Sequence, residues 1–232
     1  MSGTAGQAPC ATGAAGVLGG AFIACRAVLF DCDGVLVDSE ASVSAAWGRW
    51  AGRLGLDAAT VLGLVHGRRS ADTVAMLVPE ARREEELACI DRYELEDAGS
   101  VRPVAGAGAL LRAVPSGKWA VVTSGRAELA LARLRAAGLP EPAVLVSADD
   151  VRLGKPDPEG YALAAGRLGV PTGDTAVVED APVGVQAARA AGAGAVIGVG
   201  ERAAGAGADV VVADLRWLRW RAGGLLVEGT RC

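Results

Sequence analysis

Apolar positions along this chain follow two regimes. Short apolar runs at residues 26–30 (RAVLF), 119–122 (WAVV), 143–146 (AVLV), 176–178 (AVV) and 195–199 (AVIGV) end in acidic, hydroxyl or glycine residues. That is the mark of buried parallel strands running into loops. Between them, residues 127–137, 158–168 and 182–191 carry helical periodicity, the last through Val183, Val185, Ala187, Ala188 and Ala191. Strand alternating with helix predicts an α/β fold built on a parallel sheet. Residues 209–212 and 225–227 read as late edge strands.

From about residue 40 to 102 the buried-strand runs vanish and amphipathic helices replace them, at 42–54, 58–65, 71–77 and 81–98, with Asp57 and Ser70 as N-caps. Pro103 and Gly106 return the chain to the sheet. The expected architecture is a three-layer Rossmann-like core, discontinuous over 25–39 and 103–232, with a small α-helical cap inserted at 40–102. Ligands of open α/β sheets bind beyond the carboxyl ends of the strands, where this insert leaves and re-enters. Residues 1–24 are Gly-, Ala-, Ser- and Thr-rich, lack the basic segment of a signal peptide before Arg26, and read as a flexible extension.

Composition narrows the function. Cys10, Cys25, Cys32, Cys89 and Cys232 are odd in number and lack CxxC spacing, which points to reduced thiols, a cytoplasmic setting and no zinc site. A net charge of −4 with interleaved signs excludes the basic stripe of a nucleic-acid binder, and no apolar run is long enough to span a membrane. Among the cations only Lys118 and Lys155 are lysine, which raises the question of what a compact ammonium does there.

The chemistry lies at the strand ends. Asp31-Cys32-Asp33-Gly34 follows the first strand, and two carboxylates on a glycine turn form a hard oxygen cluster suited to magnesium. A phosphate could sit there only with a metal. Thr123-Ser124-Gly125 ends the second strand and offers a hydroxyl and backbone N–H groups of the kind that hold phosphate oxygens. After the third strand comes Gly154-Lys155-Pro156-Asp157-Pro158, with Pro158 suited to a helix N1 position; after the fourth comes Glu179-Asp180. Four sheet-edge loops thus carry acid, hydroxyl, lysine and acid in turn.

These residues resemble the haloacid-dehalogenase-like hydrolases, whose four motifs look like FDCDGVLVDS, VVTSG, GKPDPEGY and VVEDAPVG here, in family order from about Cys25 onward. The stretches HGRRSADTVAMLVPEA, KWAVVTSG and SADDVRLGKPDPEGY are similar to the sugar-phosphatase, hexitol-phosphatase and glycerol-3-phosphatase group. The resemblance implies a magnesium-dependent phosphatase for a small phosphorylated sugar or polyol. It makes Asp31 the nucleophile, Asp33 the general acid then base, Thr123 a partner of a phosphoryl oxygen, and Lys155 the neutraliser of nucleophile and phosphoryl charge. Ser124 and Gly125 would hold substrate. Asp31, the backbone carbonyl of Asp33, and Asp180 would hold one Mg2+, with Glu179 close by through water.

Other features admit two readings. His66, the only histidine, lies in a Gly67-Arg68-Arg69 turn and is either a lid residue reaching substrate, with Gly67 and Arg68, or a surface turn. Trp47 and Trp50 read as packing within the insert, Cys32 as packing behind the two aspartates, and Arg82 to Glu86 as an exposed helix face. A phosphomutase is the alternative to hydrolysis and would need cations for a second phosphate, and the insert has arginines but not one lysine. A non-catalytic relative would lack one of the motifs, and all are present. Oligomeric state is not legible; a monomer is the default.

Overall fold

The computed structural model describes residues 20–228. In chain order the elements are β1 (Ala21–Ala24), β2 (Ala27–Phe30), β3 (Val37–Asp38), α1 (Glu40–Leu54), α2 (Ala58–Val65), α3 (Ser70–Leu77), α4 (Arg83–Glu96), β4 (Arg102–Pro103), α5 (Ala107–Ala113), β5 (Trp119–Val122) and α6 (Ala127–Ala136). They continue with β6 (Leu145–Val146), α7 (Glu159–Arg167), β7 (Thr175–Glu179), α8 (Pro182–Ala190), β8 (Ala195–Val199), β9 (Val210–Val212), β10 (Leu218–Arg221) and β11 (Gly224–Val227).

Six strands form a wholly parallel sheet in the order β6-β5-β2-β7-β8-β9. The period of two in each strand divides its side chains between two cores. Val28, Phe30, Trp119, Val121, Ala176 and Val178 face one layer with Leu110 and Leu134, and Leu29, Ala120, Val122 and Val177 face the other with Tyr161 and Val185. Both faces of the sheet are covered, which is why its strands carry unbroken apolar runs. β2 lies centrally between β5 and β7, so the loops after these three strands open side by side at one edge.

The helices α1 to α4 leave the sheet just after β2 and return through β4, which pairs with β3. They bury a separate cluster centred on Trp47, Trp50, Val61, Val74 and Ile90. Trp47 and Trp50 meet edge to face at 5.3 Å, as packing requires, and Trp50 Nε1 donates to the carbonyl of Glu86. Asp57 caps α2 by accepting from the Thr60 amide.

Several expectations need correction. Ala21–Ala24, assigned by composition to the extension, form β1, paired antiparallel with β11; residues 1–19 lie outside the described residues. Leu225 to Val227 belong to this separate β1-β11-β10 sheet and not to the edge of the main one, because the alternation in LRWR followed by Gly223-Gly224 folds back as a hairpin. Helix α5, AGALLRA, is apolar at most positions but spans only seven residues, too few for a helical period to stand out, and was missed. Ser70 is the first residue of α3, and its hydroxyl donates to Glu94 instead of capping. Pro158 sits one place before α7 begins. Glu86 is fully buried, where Arg53 and Arg82 compensate its charge, so residues 82–86 are not a uniformly solvated face.

Among the described residues no helix is long and apolar enough to cross a membrane. Trp50→Ala, which removes a wholly buried ring and its hydrogen bond, is expected to cost ~3–5 kcal/mol in denaturant unfolding. A cost near zero would show that the helical cluster does not depend on this ring.

Candidate active site

Asp31 follows β2 directly, and its amide donates to the carbonyl of Val178 on the neighbouring strand, so the backbone of the sheet fixes its start. The chain then turns at Gly34, whose φ is +84°. A Cβ at Gly34 would overlap the carboxylate of Asp180, so glycine serves both the turn and the close approach. Asp180 follows β7, so the two acids arrive from adjacent strands.

Lys155 joins them. Its ammonium donates to Asp31 Oδ1, to Glu179 Oε1 at 2.6 Å and to the Val122 carbonyl at 3.4 Å, while its side chain is almost wholly buried. Glu179 is fully buried and spends its other capacity on Tyr161 Oη at 3.0 Å and the Ala181 amide at 2.9 Å. Burial opposes a charge on Lys155, but Asp31 and Glu179 outweigh it and hold the ammonium protonated. Burial pushes the carboxyl of Asp31 well up, Lys155 pulls against that, and Glu179 and Asp180 add to it. Asp180 is pushed up to about 6, first by burial and then by Glu179, with Arg202 opposing.

Asp31, Glu179 and Asp180 present oxygens within 4.8 Å of one another. Three carboxylates face the cations Lys155 and Arg202, so a negative charge is left over in a buried site. That donor set, oxygen-only and under-neutralised, fits a hard divalent cation. Of the three acids, Glu179 already has both oxygens engaged by protein donors.

Asp31, Asp33, Thr123, Ser124, Gly125, His66, Gly67, Arg68 and Asp180 all line one cavity of about 90 Å³. Residues 57 apart in sequence close its wall, since Ser124 Oγ donates to the Gly67 carbonyl at 2.8 Å. The Gly125 amide donates to Thr123 Oγ1 at 3.0 Å. Gly67 has φ +73°, and a Cβ there would press on Val183 and Ala181, so the turn after α2 rests directly on the start of α8. His66 is half-buried with Nε2 3.6 Å from Glu40 Oε1; burial and then Arg202 hold its imidazole below its ordinary value, against Glu40. Arg69 does not extend into solvent: it pairs with Asp72 and donates to the Val151 and Arg152 carbonyls. Cys32 is fully buried in the apolar layer, as packing requires. A larger cleft, about 410 Å³, lies across Ser70, Glu94 and Ser124 and contains neither Asp31 nor Asp33.

The motifs did not announce Arg133, Arg202 or Glu94, and Tyr161, which closes the stretch GKPDPEGY, had been given no role. Arg133 lines the cavity, donates to Asp33 at 3.0 Å and to Glu94 at 3.4 Å, and is 2% exposed. Its signal was an arginine sharing the buried face of α6 with Leu129, Ala130 and Leu134. Arg202 links Asp180 at 2.9 Å to Glu40 at 2.6 Å.

Fold and site together define an α/β protein with a cluster of buried acids at the carboxyl ends of a parallel sheet. A family model described as haloacid dehalogenase-like hydrolase matches residues 25–192, and the chain belongs to that family. It is similar to hexitol phosphatase A of Escherichia coli (strain K12), at 40% identity over 173 residues, covering 72% of this chain and 80% of that protein. It is also similar to validoxylamine A 7'-phosphate phosphatase of Streptomyces hygroscopicus subsp. limoneus, at 39% identity over 214 residues, 84% of this chain and 96% of that one. Among solved structures, a hydrolase from Pseudomonas syringae superposes with TM-score 0.74 at 26% identity, covering 82% of this chain and 94% of that chain.

A Cβ at Gly184 would collide with the carboxylate of Glu179. Gly184→Ala is therefore expected to lower stability by ~1–3 kcal/mol through forced displacement of a buried carboxylate. An unchanged melting temperature would show that Glu179 can shift freely.

Proposed function

We infer that this chain is a phosphoric monoester hydrolase acting on a small sugar or polyol phosphate, with Asp31 as nucleophile. The observation that carries this reading is the convergence of Asp31, Asp33, Thr123 and Asp180 on one cavity, with Lys155 bonded to Asp31. The names of the similar phosphatases support the substrate class. Residues 40–102 act as a cap on a core formed by 25–39 and the chain after 103.

In the first step an Asp31 carboxylate oxygen attacks phosphorus, and the bond from phosphorus to the alcohol oxygen breaks. Asp33 supplies the proton that the departing alkoxide needs. In the second step Asp33 takes a proton from water, whose oxygen attacks the aspartyl phosphate; the bond from phosphorus to Asp31 breaks and inorganic phosphate leaves. Lys155 favours the ionised form of Asp31 against burial and fixes its direction, and Glu179 holds Lys155. Thr123 and the backbone after β5 hold phosphoryl oxygens, which suits a transfer governed by positioning and electrostatics.

Asp31, Asp180 and the main-chain carbonyl of Asp33 would hold the cation, and we assign it as Mg2+, which when bound supplies positive charge that lets a phosphate dianion enter an acidic site. Glu179, with its oxygens engaged, belongs to the support of Lys155. Hydrolysis is favoured over phosphoryl return to a sugar because the similar curated proteins are named as phosphatases.

Phosphate release measured over hexose, hexitol and glycerol phosphates tests the reading. Asp31→Asn is expected to reduce turnover to background, and Asp33→Asn to lower kcat by ~10²–10⁴-fold on alkyl phosphates. Full activity in Asp31→Asn would remove it as nucleophile. A second measurement concerns the cation. Binding needs Asp180 ionised, and its carboxyl takes up a proton as pH falls through about 6. The apparent Mg2+ affinity in calorimetry is therefore expected to fall as the pH drops through that range, the proton on Asp180 alone contributing about tenfold per pH unit below it. An affinity unchanged between acid and neutral solution would exclude Asp180 as a ligand.

A further inference from the structure

Three arginines on the sheet side each join a carboxylate near the strand ends to a carboxylate of the helical insert. Arg126 touches Asp149 and Asp91, Arg202 touches Asp180 and Glu40, and Arg133 touches Asp33 and Glu94. They are not equivalent. The side chains of Arg126 and Arg202 are 61% and 42% exposed, and solvent-exposed pairs contribute little. Arg133 is 2% exposed and Glu94 8%, so their charges have no water to fall back on.

Burial makes this group demanding. Desolvation works against the charge of Arg133, yet Asp33 and Glu94 together keep the guanidinium protonated. Glu94 in turn accepts from Ser70 Oγ at 3.0 Å, so both ends of α3 and α4 that face the cavity are engaged. Arg133 Nε makes no hydrogen bond, so the bonds to Asp33 and Glu94 are its anchors. If the insert lifts, Glu94 leaves and Arg133 loses one of its two carboxylates. The guanidinium is planar and its donors are fixed relative to one another, so its bond to Glu94 sets the angle at which it meets Asp33.

We propose that Arg133 is a positioning residue that ties the seating of the helical insert to the orientation of the Asp33 carboxylate. With the insert seated, Glu94 and Arg133 aim Asp33; with it lifted, Asp33 loses that alignment and proton delivery to the leaving oxygen fails. This rests on Asp33 acting as the acid of the hydrolysis inferred above.

The test compares two esters. An alkyl phosphate such as sorbitol 6-phosphate needs a proton on its leaving oxygen, whereas p-nitrophenyl phosphate releases a stable phenolate and needs much less help. Arg133→Met is expected to lower kcat on the alkyl ester by about 10²-fold, the scale of a general acid, with KM little changed and a several-fold smaller loss on the aryl ester. Arg133→Lys should recover part of the alkyl activity, and Glu94→Gln, a gentler change, should show the same skew at smaller size. Equal losses on both esters in folded Glu94→Gln and Arg133→Lys, or no loss on either, would overturn the proposal by reducing Arg133 to packing. If wild-type protein hydrolyses neither ester, the hydrolase reading fails separately. The tie is then judged by hydrogen exchange of residues 83–96: faster exchange in Glu94→Gln than in wild type upholds it, and identical exchange refutes it.

Discussion

One buried ammonium makes this site possible. Asp31, Glu179 and Asp180 are held within a few ångströms by strands β2 and β7, which are neighbours in the sheet and cannot separate without breaking their ladder. Carboxylates brought together away from water repel, and burial penalises each of them. Lys155, bonded to Asp31 and Glu179 at once, offsets that cost. The lysine is itself oriented by Glu179, which Tyr161 and the Ala181 amide at the start of α8 hold in place. Gly184 leaves the space that this carboxylate fills. The direction of the Asp31 carboxylate is thus set from below by a chain of groups that does not line the cavity.

How much of this was legible depends on whether the signal was local. The strands at Trp119–Val122 and Ala195–Val199 matched to the residue, because buried parallel strands must be apolar on both faces. The acids, hydroxyl and lysine were legible because each stands at the end of such a strand, and sheet topology brings strand ends together. β1 was missed, since AFIA is an apolar run of only four residues following a Gly- and Ala-rich stretch and finds its partner β11 some two hundred residues later. Ser70 was misread because the helix starts one residue earlier, with Arg69 in the cap position, and the hydroxyl is left to donate to Glu94 on another helix. Arg133 was passed over because a helix face is read by its apolar residues, and an arginine within it counts as noise until its two carboxylates are seen.

The choice of cation follows the same physics. Where a charge must sit beneath Asp31 among carboxylates, the chain uses lysine, whose compact head fits between Asp31 and Glu179. Where a carboxylate of the sheet must be joined to one of the insert, it uses arginine each time, because a planar fork can serve two acids in defined directions. The first kind of contact is indifferent to the insert; all its members belong to the sheet and its loops. The second kind exists only when the insert is seated. On the hydrolase reading, this division leaves the contacts of Asp31 in place whether or not substrate is enclosed, while Asp33 and Asp180 find their full set of partners only on closure. An enzyme arranged so can admit and release its ligand without disassembling its most expensive feature, the buried charge cluster, and leaves the conformational dependence to the two carboxylates that arginines tie to the insert, Asp33 and Asp180.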